Sequence, residues 1–422
     1  VEDRIFYVRM DGDNARDGRS WENARRTLDS ALLDAGLEGG EVWVKAGQYT
    51  NRFRADVFTY VYGGFNGTET NRADRNWAVN PTVLDGNIST TPGTLILGPA
   101  VISTFGLDGY GAISGFIIQN GAGRQGGGIF AHGSPRISDN IIRSNIVSNV
   151  TGFVASGAGI FSQGGEPLIL NNLLLANSAP STGGQNGRGG AIYLDSPAGA
   201  LPRLYNNTVL NNVATNGGSA IYLNTNAAAV LANNLIAFNF SGIAAASAAQ
   251  SGQIELRHNS VFGNVTNELV NVTLGASNIL TNPRLVSPAQ GNFRLRADSP
   301  CLDAADASVP FSPFDIYGQP RVAHGGLDIG AAEFNGPLVA DFDIQLTQPV
   351  QGSAFFAPAT FPVAAEVTGG TQTPAFVEFS ANGTVVATAT TAPYSSFASG
   401  LLFDTYQIVA TAVSANGSVK AS

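Results

Sequence analysis

The sequence predicts an all-β chain, a parallel β-helix closed by a helical N-terminal cap and followed by a small β-sandwich. Three observations predict it. Asparagine pairs or their equivalents recur at Asp139-Asn140, Asn171-Asn172, Asn206-Asn207, Asn233-Asn234 and His258-Asn259, at intervals of 32, 35, 27 and 25 residues. Five residues after each pair stands another asparagine: Asn145, Asn177, Asn212, Asn239 and Asn264. From about residue 344 this pattern gives way to plain alternation with a hairpin signal at Asn382-Gly383.

Within each repeat, apolar residues flank the pair. Ile137, Ile169, Leu204, Leu231 and Leu256 precede it, and Ile142, Leu174, Val209, Ile236 and Val261 follow it, five positions apart. A single strand alternates faces with period two, so two inward positions an odd number apart require a bend between them, at the asparagines. Asparagine tolerates left-handed backbone, and Asn140, Asn172, Asn207, Asn234 and Asn259 are placed to form a side-chain ladder from coil to coil. Upstream, Gly128-Ile129-Phe130, Gly159-Ile160-Phe161, Ala191-Ile192-Tyr193 and Ala220-Ile221-Tyr222 mark another strand of each coil. Units of this size bury an apolar side only by stacking, which is the logic of a solenoid.

Open coil ends need caps. Ser20–Gly36 reads as a capping helix with Ser20 as N-cap and Ala24, Leu28, Ala31 and Leu32 as its apolar stripe. The stretch 41–50 reads as the first strand. The expected organisation is an N-terminal cap and first coils over 1–95, coils over 96–290, a C-terminal cap over 291–336, a linker over 337–343 and a sandwich over 344–422 that lacks its last strand.

Composition narrows the function. A net charge of −9, with Lys45 and Lys420 as the only lysines, argues against a nucleic-acid partner. No run of about 18 apolar residues offers a membrane span, and the single cysteine, Cys301, excludes an internal disulfide framework. No cofactor is expected, except a peripheral calcium at Asp11, Asp13 and Asp17, although this stretch lacks the glycine and closing glutamate of an EF-hand loop.

The segments "GRSWENARRTLDSAL", "EVWVKAGQYT" and "VYGGFNGTETNRADRNWAVNPTVLDGNIS", with "GNFRLRADSPCLDAADAS", "DIYGQPR" and "LDIGAAEF" near the end, resemble secreted bacterial right-handed parallel β-helix proteins of the choice-of-anchor-Q type. Residues 344–422, with "TAPYS", resemble a bacterial Ig-like repeat. Low charge, stackable coil ends and an Ig-like tail suit an adhesive or structural role, with a surface glycan or a second copy as partner. The resemblance itself implies a pectate-lyase-like right-handed solenoid at the outside of a bacterial cell. It implies no single reaction.

Two readings of the chemistry stay open. An acidic-polysaccharide lyase or glycoside hydrolase needs a base, or a pair of carboxylates about 6.5–9.5 Å apart for inversion. Residues 100–290 hold no lysine, and the acids of the repeat proper come at most one per coil. No catalytic residue is therefore assigned; His132 and Asp139 fall on different strands of one coil, and no nucleophile stands beside them. The other reading is carbohydrate binding. If Ile129, Ile160, Ile192 and Ile221 point inward, Phe130, Phe161, Tyr193 and Tyr222 form an outward column, with His132, Gln163, Asp195 and Asn224 beside it on the same face. In the opposite phase the rings are a core stack, with Gly128, Gly159, Ala191 and Ala220 leaving them room.

Overall fold

The computed structural model describes residues 4–87, 99–105, 111–148, 154–180 and 187–422. The chain divides into two units: residues 1–282 with 303–333, and residues 283–302 with 334–422. The segment 291–336 is thus shared between them.

The first unit is a parallel β-helix. One nine-stranded sheet runs from Ile5–Val8 through Gly40–Lys45, Thr59–Phe65 and Arg136–Ser138 to Ile254–Arg257. An eight-stranded sheet, termed here the aromatic sheet, includes Phe53–Ala55, Ile102–Thr104, Ile129–His132, Ile160–Gln163, Ile192–Asp195 and Ile221–Leu223. A second eight-stranded sheet includes Ile141–Arg143, Leu173–Leu175 and Thr208–Leu210. Two-residue strands, Ile146–Val147 among them, add a fourth, four-stranded sheet, so a coil has one strand more than its sequence suggested. The inner faces supply one continuous core in which Ile129, Ile137, Ile142, Ile160, Ile169 and Leu174 are fully buried.

Both bends of the coil are built alike. At the first, Asp139, Asn171, Asn206, Asn233 and His258 take the left-handed conformation (φ 61°, 55°, 52°, 60° and 51°). The asparagine that follows turns inward: Asn140 Nδ2 donates to Asn172 Oδ1 at 3.0 Å, Asn172 to Asn207 at 3.0 Å, Asn207 to Asn234 at 2.9 Å and Asn234 to Asn259 at 2.9 Å. Asn259 hands the ladder on to Asn278 at 3.0 Å. At the second bend Asn145, Asn177, Asn212, Asn239 and Asn264 form a parallel ladder that ends on Glu268. The residues just before them, Ser144, Ala176, Asn211, Phe238 and Gly263, are left-handed too. Backbone amides that turn away from the sheets at a bend thereby find buried partners.

The glycines before the aromatic sheet have a steric cause. Gly126, Gly157, Gly189 and Gly218 sit at φ 61°, 63°, 61° and 60°. A Cβ on Gly157 would lie 2.4 Å from the Ile160 carbonyl oxygen, so the turn excludes any side chain.

Two end assignments change. The capping helix is Leu28–Glu38, with Thr27 at its N-cap, and Ser20 instead accepts a hydrogen bond from the Asn23 amide in a turn. Leu28, Ala31, Leu32 and Ala35 are its buried face. Ala24 is fully buried and satisfies the apolar spacing, but it lies ahead of the helix, which moves the cap from Ser20 to Thr27. The first strand is Ile5–Val8, which pairs in parallel with 41–44, while 47–50 belongs to a different sheet.

The C-terminal part of this unit, 303–333, is a strap laid along the coils. His258 Nδ1 lies 3.0 Å from the Ala304 carbonyl, Asn233 Nδ2 donates to Asp306 O (2.9 Å), Asn206 to Pro310 O (3.2 Å) and Asn171 to Phe314 O (3.1 Å). Ser312 Oγ donates to Asp139 Oδ1 (2.6 Å), and Trp77 Nε1 to Ile316 O (3.2 Å). The left-handed first member of every pair therefore faces out and holds the strap, while the second member faces in and holds the ladder. Val309 of the strap packs with Leu170, Tyr205, Val230 and Ala232 of the nine-stranded sheet.

The strap ends in a buried ionic cluster. Arg321, 1% exposed, donates to the Asp328 and Gly330 carbonyls, with Nη1 3.4 Å from Glu333 Oε2. Asp315 accepts from the Tyr317, Gln319 and Glu333 amides. Burial, with Asp328 next, pushes the Glu333 carboxyl up to about 8.

The second unit is an antiparallel sandwich. Its sheets are Asp343–Gln348, Ala359–Thr368 and Tyr394–Leu401 on one side and Thr384–Ala389, Pro374–Ala381, Ile408–Ser414 and Val419–Ala421 on the other. Val419–Ala421 pairs with 411–413. Phe342, Val363, Val377 and Phe379 lead its core. Residues 283–302 add the hairpin Leu285–Ser287 and Asn292–Leu295, anchored by Arg296, whose Nη1 is 2.6 Å from Glu378 Oε2.

Candidate functional site

The aromatic sheet decides between the two phases in an unexpected way. Ile129, Ile160, Ile192 and Ile221 are the inward set, at 0–1% exposure. The rings on the next positions point out of the coil, yet they are buried against one another. Phe130 stacks on Phe161 at 5.3 Å between ring centroids, Phe161 on Tyr193 at 5.2 Å and Tyr193 on Tyr222 at 5.3 Å. The parallel register of the strands imposes this spacing, close to the separation of hydrogen-bonded strands of about 4.8 Å. Phe161, Tyr193 and Tyr222 are only 1%, 7% and 6% exposed. They form a small hydrophobic cluster of their own, outside the main core.

The column opens at its N-terminal end. Phe105 lies 6.3 Å from Phe130 and is 40% exposed. Together with Ser103, Arg124 and Gln125 these two rings line a cleft of about 430 Å³. Guanidinium groups flank the column at both ends, Arg54 at 4.4 Å over Phe105 and Arg188 at 5.0 Å over Tyr222, in the range of a cation–π contact.

Beside the rings the register aligns His132 with Gln163 and Gln163 with Asp195. Asn224 extends this polar row by donating from Nδ2 to Asp195 Oδ1 at 2.8 Å. Gln163 is exposed, and His132, Asp195 and Asn224 are half-buried. The His132 backbone is clamped by Thr104, whose hydroxyl accepts from its amide at 3.0 Å, and His132 Nδ1 has no hydrogen-bond partner among the described residues. Burial, and then Asp195, push the Tyr193 phenol up to about 12. A phenol held there remains protonated near neutral pH and acts as a donor rather than as a base.

The other singled-out residues lie elsewhere. Asp139 sits at the first bend, where it accepts from Ser114, Asn171 and Ser312 and lies 3.8 Å from Arg75. His258 is a strap anchor. Asp13 and Asp17 accept the Ala15 and Arg19 amides in tight turns, and Asp11 lies 3.7 Å from Arg9. Sequence reasoning missed Phe105, Arg54 and Arg124, because the irregular first coils carry no repeat signature by which to align them.

Comparison with known proteins follows the division of the chain. Residues 103–284 match the family described as right handed beta helix region. The solenoid is therefore a right-handed one. Residues 343–420 match the bacterial Ig domain family, so the sandwich is Ig-like. No curated protein matches the chain. Among solved structures, the Clostridium thermocellum CbhA fibronectin(III)-like modules are similar over 19% of this chain and 41% of that chain, at 28% identity and a TM-score of 0.18, a likeness that carries no structural argument. Among the described residues, no helix is long and apolar enough to cross a membrane.

Proposed function

We propose that the protein is an adhesive scaffold of the bacterial cell surface that holds a glycan chain on the outer face of the aromatic sheet. The observation that carries this reading is the cleft at Phe105 and Phe130, where a stacked column of rings ends in an accessible one among the polar side chains of Ser103, Arg124 and Gln125. Aromatic faces suit the apolar face of a sugar ring, and polar groups in register suit its hydroxyls. In this reading Phe105 and Phe130 make the stacking contact, His132, Gln163, Asp195 and Asn224 extend the site along the axis, and Phe161, Tyr193 and Tyr222 are the rigid wall behind it. The strap and the two ladders stiffen the β-helix that carries the site. A β-helix is also the fold of polysaccharide lyases and hydrolases, which is why the same test includes product analysis.

Affinity electrophoresis in gels containing neutral and uronate polysaccharides provides the test. Phe105→Ala and His132→Ala are expected to abolish retardation with no change in melting temperature, since neither side chain belongs to the core. Tyr193→Ala, in contrast, is expected to destabilise the β-helix by about 2–4 kcal/mol, because it removes the middle of a buried stack. Retardation that survives Phe105→Ala defeats the adhesive reading. Unsaturated or reducing-end products released by the purified chain replace it with the enzymatic one.

A further inference from the structure

The Ig-like unit carries a second cleft, which nothing in the β-helix reading requires. Two loops meet at one end of the sandwich, 349–358 and 402–407, because the strands they leave are paired there, Ala359 with Leu401. The second loop is tied to the Asn382-Gly383 turn: Asn382 donates from its amide to Gln407 O (3.0 Å) and accepts from the Gln407 amide (2.8 Å). Between the loops lies a cleft of about 940 Å³.

Its walls are unusual for a face left in water. Phe403 is 98% exposed, and Val350 and Leu402 are each 71% exposed. Phe355 lies flat on Phe361, 4.2 Å between centroids and 11° between planes. Phe361 is a core residue at 6% exposure, whereas Phe355 is 44% exposed. One face of Phe355 is thus anchored on the core and the other is left to the cleft, so the ring is a fixed platform rather than a mobile side chain. Contiguous exposed apolar surface of this kind marks interaction sites.

Charge selects the partner. No Lys, Arg or His lines the cleft, and its only carboxylate is Asp404. The unit as a whole is also acidic, with six acids against four cations, Arg284, Arg294, Arg296 and Lys420, none of which lines the cleft. A polyanion or an anionic bilayer would be repelled, and a second copy of a chain of net charge −9 is an unfavourable occupant as well. What the cleft offers besides rings is amides and hydroxyls, from Gln351, Thr405 and Gln407. We infer that this loop end of the Ig-like unit is a binding site for an uncharged oligosaccharide, which stacks on Phe355 and Phe403. It is independent of the β-helix site.

The test uses the full chain and isothermal titration with cellohexaose, xylohexaose and mannohexaose, with hexagalacturonate as the anionic control. At least one neutral hexasaccharide is expected to bind, with little dependence on salt, and Phe403→Ala and Phe355→Ala are each expected to weaken it about tenfold or more, as truncating an aromatic anchor does. Phe403→Ala removes a side chain outside any packing, so its circular dichroism and melting curve are expected to match those of the parent. Phe105→Ala is expected to leave this binding intact. The inference is overturned if none of the neutral sugars binds, if both cleft variants bind as the parent does, or if Phe105→Ala removes the binding. It is also overturned if Phe403→Ala instead abolishes self-association in sedimentation or attachment to phosphatidylglycerol vesicles.

Discussion

Replacing Asn207 by alanine is expected to destabilise the β-helix by about 2–4 kcal/mol, the cost of orphaning fully buried polar groups. Asn207 is 1% exposed and stands in the middle of the first ladder. Its Oδ1 accepts from both the backbone amide and the side-chain amide of Asn172, each at 3.0 Å, and its Nδ2 donates to Ile169 O and Asn234 Oδ1, each at 2.9 Å. Alanine removes the side-chain acceptor of the buried Asn172 backbone N–H. Aspartate keeps the acceptor but loses both donations and brings a charge into the interior, so Asn207→Asp is expected to cost at least as much. At the end of the ladder the effect fades. Asn278 is half-buried and water can replace its bonds, so Asn278→Ala is expected to cost less than about 1 kcal/mol. Urea denaturation of the three variants checks this ordering, and an Asn278→Ala variant as unstable as Asn207→Ala would show that the ladder is not what holds the bend.

Replacing Arg321 by methionine is expected to have an effect of similar or larger size, about 3–5 kcal/mol, because it leaves carboxylates buried without their cation. Asp315, Asp328 and Glu333 are 1%, 2% and 4% exposed, and all three act on Arg321. The pH dependence of the parent tests the same cluster. Glu333 titrates at about 8 in the fold against an ordinary value of 4.5. Its folded form therefore holds a proton that the unfolded chain releases. The stability it contributes is fully present below pH 4.5 and is lost as the pH rises towards and through about 8, with an upper bound of about 5 kcal/mol. Melting temperatures are expected to decline between pH 5 and pH 8.5 on this account. Glu333→Gln, which mimics the protonated acid, is expected to flatten that slope and to raise the melting temperature at the alkaline end. A slope unchanged by Glu333→Gln would assign the titration to another group.

How much of this was legible without coordinates follows from periodicity. The ladder asparagines, the bend and the inward isoleucines are written once per coil, so stacking repeats the same local demand and the pattern stands out from a single chain. The second bend was visible as a constant offset from the first. The strap was not. Its anchors are separated from their partners by 173 residues at Asp139–Ser312, 143 at Asn171–Phe314, 104 at Asn206–Pro310, 73 at Asn233–Asp306 and 46 at His258–Ala304. Each contact is made once, mostly to a backbone carbonyl that carries no residue preference. The exception is instructive: Asp139 is the pair member that meets a serine hydroxyl rather than a carbonyl, so it must accept where asparagine and histidine elsewhere reach for a carbonyl oxygen.

The site divides in the same way. Alternation placed His132, Gln163, Asp195 and Asn224 on one face with Phe130, Phe161, Tyr193 and Tyr222, and the register of parallel strands required only that like residues stack. Whether those rings meet solvent depends on mutual packing and on the turns that approach them, such as Gly189, whose added Cβ would lie 2.8 Å from the Tyr193 Cβ. That is a property of neighbouring coils and not of any one stretch. By itself the sequence determined the repeat, its bends, the interior of the coil and the change to an alternating sandwich, because each follows from local backbone preference and the side-chain period. The tertiary structure alone decided that the aromatic column is closed except at its Phe105–Phe130 end, that Asp139 and His258 hold a strap, and that Arg321 neutralises carboxylates in a buried cluster, because desolvation and non-local hydrogen bonding act only once distant segments share the same space.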